Sequence, residues 1–348
     1  MNNLQKSRKF LYSLLLGKTE SSASGFTLTE LLVTIIIGGL IVTSVTGLMT
    51  DMLRESRREK VRTATQQDMQ RALNFIESDL ESATYIYTGD EIRNSRDDDG
   101  DIQSVASHLD VNENLEIVLA FWKPELIPYT PGGGRIPENC TESSSGDLSI
   151  EECENLQTQR RTYTLVVYLQ ETNPTDTWEG KSTIRRYDLR QFKNEEDSNG
   201  FLTLDESPGY VHPTREAEGF GRWPYDINDI DRQSELPEIT RNIKTTPVLT
   251  DYVDTPTNDP GNLPTCAQQG DNYSRTPSVD QSTSFFACVR QATFEGDFNE
   301  GNQDVVIYLR GNPDGRSGYQ VAPNSYTPLP TLQTRVMLRG IIDKFMNN

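Results

Sequence analysis

The chain has 348 residues, enough for one large or two modest domains with a sizeable core. Its 33 Lys and Arg stand against 52 Asp and Glu, a net charge of −19. That balance argues against a nucleic-acid partner, since phosphate binding needs clustered cations. With two histidines, His108 and His212, and no G-x-S-x-G elbow, H-E-x-x-H helix or phosphate-cradling glycine loop, nothing supports an enzyme.

The charge is unevenly placed. Lys6, Arg8, Lys9 and Lys18 against Glu20 make residues 1–25 +3, which leaves −19 − 3 = −22 for the rest. A basic start ahead of an apolar run is the positive-inside arrangement, so the N-terminus is expected in the cytoplasm and the acidic bulk outside the inner membrane. The run itself, Phe26–Met49, is long enough to span a hydrocarbon core of ~30 Å at 1.5 Å per residue. One charge interrupts it: Glu30. A carboxylate inside a membrane segment costs about 2.5–3.5 kcal/mol on insertion scales, so it is expected to have a partner or a task. A secretory signal would place its small-residue cleavage site after the apolar stretch. Here Thr50, Asp51, Met52, Leu53 and Arg54 follow, and the small pair Ser24-Gly25 comes before.

The string Gly25-Phe26-Thr27-Leu28-Thr29-Glu30-Leu31-Leu32 resembles the prepilin signature of type IV pilins and type II secretion pseudopilins. The resemblance implies that a prepilin peptidase cuts between Gly25 and Phe26 and N-methylates Phe26. It also implies that Glu30 directs assembly by pairing with the Phe26 amine of a neighbouring subunit. Residues 1–25 become a cleaved cytoplasmic leader, longer than the family's shortest and with its own apolar patch at Phe10–Leu16. Implied partners are the peptidase, sibling pilins or pseudopilins, an inner-membrane assembly platform and exopolysaccharide. The implied location is the bacterial inner membrane, followed by a periplasmic or surface filament.

The helix is expected to continue past the membrane half, 26–49, through an amphipathic half, 50–85. No proline occurs before Pro124, and Met69, Leu73, Ile76, Leu80 and Ala83 recur at three- and four-residue steps. Arg54, Arg57, Arg58, Lys60, Asp68 and Arg71 fill a solvated face. Gly47 stands where major pilins of the family often have a kinking proline, and loosens the helix without the proline clash. Residues 86–348 form an extracytoplasmic β-rich head. Leu115–Phe121, Tyr163–Leu169, Thr183–Leu189, Phe286–Val289, Asp304–Leu309 and Gln333–Arg339 read as strands, and 89–110, 124–160 and 250–284 as long loops. The fold class expected from this order is α+β, a long helix packed on an antiparallel sheet, and the resemblance implies that it is type IV pilin-like. YTLVVYL followed by TIRRYDLRQF, and VVIYL followed by TRVMLRG, resemble the large minor pilins of the PilW or secretion J type, including cyanobacterial hormogonium polysaccharide secretion pseudopilins.

Four cysteines allow three pairings. Cys140–Cys153 and Cys266–Cys288 close the shortest loops. Free thiols and a shared zinc site compete, the latter without a C-x-x-C pair. No cofactor is required. Glu195, Asp197, Asn199, the Phe201 carbonyl and Glu206 have EF-hand spacing, against the plainer reading of an acidic hairpin turn between strands. Asp97-Asp98-Asp99-Gly100-Asp101 is a weaker calcium candidate, with Ala106 in the twelfth place. In GFGRWPY, Trp223 is a candidate for stacking on sugar rings, against a tucked loop plug. The function expected is a minor pilin or pseudopilin acting in filament assembly, at the tip or in initiation, and so in secretion, motility or adhesion. The alternative is an adhesin or glycan-binding head carried on a pilin stem.

Overall fold

A computed structural model describes residues 25–94, 104–109, 111, 114–127, 136, 139–141, 148–174, 177–193, 203–217, 219–221, 223–224, 246–255, 264–278, 284–290, 303–320 and 329–338. The chain divides into two compact units, Met1–Arg57 and Arg58–Asn348.

The described part of the first unit is one apolar helix. Helix α1 runs Leu28–Glu81 and extends into the second unit. It is long and apolar enough, by length and composition, to cross a membrane.

The second unit is a head of two antiparallel sheets. The elements in order are β1 Tyr85–Ile86, α2 Gly89–Asn94, α3 Val105–His108, β2 Leu115–Leu126, α4 Ile150–Gln159, β3 Arg161–Thr172, β4 Ser182–Arg190, β5 Val248–Val253, β6 Tyr273–Thr276, β7 Phe285–Arg290, β8 Asp304–Arg310 and β9 Thr331–Met337. Strands β1-β2-β3-β4-β5 make one sheet in chain order, and β6-β7-β8-β9 the other. Every neighbouring pair is antiparallel, and strands that follow one another in the chain lie side by side, as sequential elements tend to do.

The expected stripe is the spine of the core. Met69, Leu73, Ile76, Leu80 and Ala83 are fully buried and share one cluster with both sheets. The five-stranded sheet contributes Val118, Phe121, Val166, Tyr168 and Ile184; the four-stranded one contributes Phe285, Ala287, Val305, Ile307 and Leu309. The opposite faces are covered too. Ile117, Ala120, Trp122, Leu165, Val167 and Leu169 pack under a lid containing Tyr210, Val211, Phe220 and Trp223. Phe286, Cys288, Val306 and Tyr308 pack around Cys266. Strands buried on both faces explain why YTLVVYL and DVVIYL read as continuous apolar runs, without polar alternation. A register shift between Ile117 and Leu119 turns Val118 and Leu119 together toward the helix, as a bulge does.

Within the second unit, polar clasps hold the later turns of α1 against the sheets. Asp79 accepts from Lys123 Nζ (2.7 Å), Tyr168 Oη (2.7 Å) and Arg186 Nε (2.8 Å). Burial alone would raise its pKa, but these three donors outweigh it and hold the carboxyl below its ordinary value. Arg316 reaches Asp68 at 2.5 Å and Thr65 Oγ1 at 3.2 Å. Beside them the backbone of Gly311 approaches α1 so closely that a Cβ would collide with Met69 Sδ and Thr65 Cγ2. The sheets are tied by a buried polar seam: Gln170 donates to Ser182 Oγ (2.8 Å) and the Asp254 carbonyl (2.9 Å), and Arg310 pairs with Asp254 at 2.7 Å.

Five segments of the expected long loops are ordered elements, among them α2 and α3 within 89–110. Helix α4 lies within 124–160, and β5 and β6 lie partly or wholly within 250–284. The six expected strands all exist, and the single expected sheet is two.

Candidate functional site

The start of α1 is built by two side chains. Thr27 Oγ1 accepts from the Glu30 amide (3.3 Å), while the Glu30 carboxylate accepts from the Thr27 amide (3.1 Å) and hydroxyl (3.0 Å). Thr27-x-x-Glu30 is thus a reciprocal capping box, satisfying two backbone donors that a helix N-terminus otherwise leaves open. The acid also stands at the favourable end of the helix dipole. The sequence signal for this role of Thr27 is a Ser/Thr-x-x-Asp/Glu spacing directly ahead of an apolar run.

Around this box the helix is bare. Phe26 is 79 % exposed, and Leu31, Leu32, Ile35, Ile36, Leu40, Ile41, Val45, Leu48 and Leu53 all face outward. A face this large and apolar marks a surface for lipid or protein, not water. The polar residues within it are closed upon themselves: Thr34, Thr43, Ser44, Thr46 and Thr50 each donate a hydroxyl to a carbonyl of the preceding turn. From Phe26 to Thr50, Glu30 is the one charged side chain. Among the described residues, nothing lies within 4 Å of where a Cβ on Gly25, immediately before Phe26, would be.

Cations flank the apolar run on both sides. Lys6, Arg8, Lys9 and Lys18 precede the apolar run, but Arg54, Arg57, Arg58, Lys60 and Arg62 follow it within a few turns. Four against five gives no positive-inside bias when only Lys and Arg near the ends are counted. The cysteines speak instead. Cys140–Cys153 and Cys266–Cys288 are bonded, with Cα atoms 5.8 and 5.3 Å apart, as suits an oxidising compartment for the head.

The remaining candidates do not gather into a site. Glu195, Asp197, Asn199 and Phe201 lie outside the described residues, as does the 97–101 run. Glu206 is engaged locally, accepting from Gln191 Nε2 at 3.0 Å. Among the described residues, no group of three or more His, Cys, Asp or Glu could hold a metal ion. Trp223 is only 1 % exposed, with Nε1 donating to the Val211 carbonyl and edge-on contacts to His108 and Trp122. No ring face is free for a sugar, so the stacking role falls and Trp223 serves as a plug. His212, buried edge-on to Tyr163 and Tyr210, is pushed down to about pKa 3 by burial and then by Arg215. Its Nδ1 accepts from the Thr214 amide at 3.3 Å, which requires the neutral ring.

Compared with known proteins, the chain matches no family model, no curated protein and no solved structure.

Proposed function

We propose that this chain is a minor pilin or pseudopilin, a membrane-stored subunit with a type IV pilin-like fold that joins a short periplasmic or surface filament. One observation carries the reading. An apolar, internally satisfied, outward-facing helical stretch is preceded by Gly25-Phe26 and keeps a single charge, Glu30, in its first turn. Cleavage after Gly25 would create a cation at Phe26, and apolar surroundings make an unpaired Glu30 expensive. A register that brings the amine of one subunit to the carboxylate of the next is favoured, and the exposed apolar faces then bury one another. The large head suits a tip or initiating position better than a bulk one, because it would crowd a uniform shaft.

Mass spectrometry of the N-terminus of protein isolated from its host tests the class. The expected result is a chain starting at N-methylated Phe26; a chain still starting at Met1 overturns the proposal. In the same host, Glu30→Val is expected to leave membrane insertion intact and to abolish incorporation into filaments.

A further inference from the structure

The bare apolar stretch of α1 ends in a girdle of cations. Arg54, Arg57, Arg58, Lys60 and Arg62 fall within nine residues, with Glu55 and Glu59 the acids among them, a net +3. On a helix with 3.6 residues per turn, Arg54, Arg58 and Arg62 lie in one i, i+4 row with Arg57 beside it. These cations are poorly used inside the protein. Arg54 comes no nearer than 4.0 Å to Asp51, with both side chains exposed. Arg57, Arg58, Lys60 and Arg62 make no ion pair among the described residues; Arg57 and Lys60 are exposed, Arg58 and Arg62 half-buried. Farther along α1 the pattern differs, since Arg71 sits 3.1 Å from Asp68.

Position says what the girdle faces. Twenty-six residue steps separate Leu28 from Arg54, about 39 Å along the helix, against a bilayer ~40–45 Å thick with its headgroups. If Leu28 lies near one interface, the cations begin in the headgroup layer of the other, where long basic side chains attract anionic lipid.

We propose that Arg54, Arg57, Arg58, Lys60 and Arg62 bind anionic phospholipid headgroups of the leaflet on the head side, so that charge as well as apolar area retains the subunit in the bilayer. The proposal rests on reading Leu28–Leu53 as membrane-spanning. Full-length protein would be placed in nanodiscs of equal phosphatidylglycerol and phosphatidylcholine, and the lipids it retains weighed by native mass spectrometry. Wild-type protein is expected to keep phosphatidylglycerol several-fold over phosphatidylcholine, and to lose the preference in high salt. Arg57→Gln/Arg58→Gln/Lys60→Gln/Arg62→Gln is expected to enter the discs equally and retain the two lipids near parity, while Glu55→Gln/Glu59→Gln strengthens the preference. Parity for wild-type protein, or an unchanged preference in the four-site variant, overturns the proposal. Self-association lost in that variant without a change in lipid preference would assign the cations to a second copy and also overturn it. Protein that does not enter discs at all sinks the membrane-spanning reading itself.

Discussion

Thr27 and Glu30 give the same carboxylate two claims. Within the chain, Glu30 closes the cap of its own helix. In a filament of the proposed kind it would also face a neighbour's amine, so the cap orients the acid before a partner arrives. Losing an N-cap side chain typically costs about 1 kcal/mol. Thr27→Val is therefore expected to speed amide exchange at Glu30 and Leu31 severalfold while leaving thermal unfolding of the head unchanged; Thr27→Ser restores protection. Exchange followed by mass spectrometry checks both.

His212 makes a second expectation, in pH. Its folded pKa is lowered to about 3 from an ordinary 6.5. The unfolded chain therefore takes up the proton first, and stability falls as pH drops from about 6.5 toward 3, by up to about 1.4 kcal/mol per unit for this one proton. Urea unfolding at pH 7 and pH 4.5 is expected to show a smaller acid loss in His212→Asn than in wild type. An equal loss in both would mean the ring is not the titrating group.

Helix α1 was legible from its period, and Ile76 shows how far the stripe reaches: it is fully buried and shares a cluster with strands of both sheets. Ile76→Ala is expected to cost about 2–5 kcal/mol through lost burial and a cavity, lowering the melting temperature of the head. The strands with long apolar runs, such as β3 and β8, were equally visible. Strands β5 and β6 were not. Val248–Val253 contains Thr, Asp and Tyr, with Tyr252 at a left-handed φ of 58°, and Tyr273–Thr276 is four residues without an aliphatic side chain. Such segments become strands because a neighbour offers them hydrogen bonds, not through their own pattern. Helix α4 could have been found: Ser149 and Glu152 form its capping box, with Ser149 Oγ accepting from the Glu152 amide at 3.2 Å.

The head combines two sheets, one helical stripe and two covalent staples. Cys266–Cys288 joins the turn before β6 to β7 inside an apolar cluster with Phe286 and Tyr308. Closing a loop over a separation of 22 residues is worth about 3 kcal/mol by chain entropy. Cys266→Ala/Cys288→Ala is expected to lower the unfolding free energy of the oxidised protein by about that amount, and a reductant to have less further effect on the variant than on wild type. Denaturant titration with and without reductant reads the difference.

What the chain alone determined was set by local periodicity: the apolar run with its lone acid, the stripe from Met69 to Ala83, and the strands whose own residues are apolar on both faces. The tertiary structure decided what depends on distant neighbours. It divided the strands into two sheets, turned Trp223 from a candidate contact into a plug, and knotted Asp79 to Lys123, Tyr168 and Arg186. Periodicity is written into successive residues, whereas burial and ion pairing exist only once segments far apart in sequence are brought together.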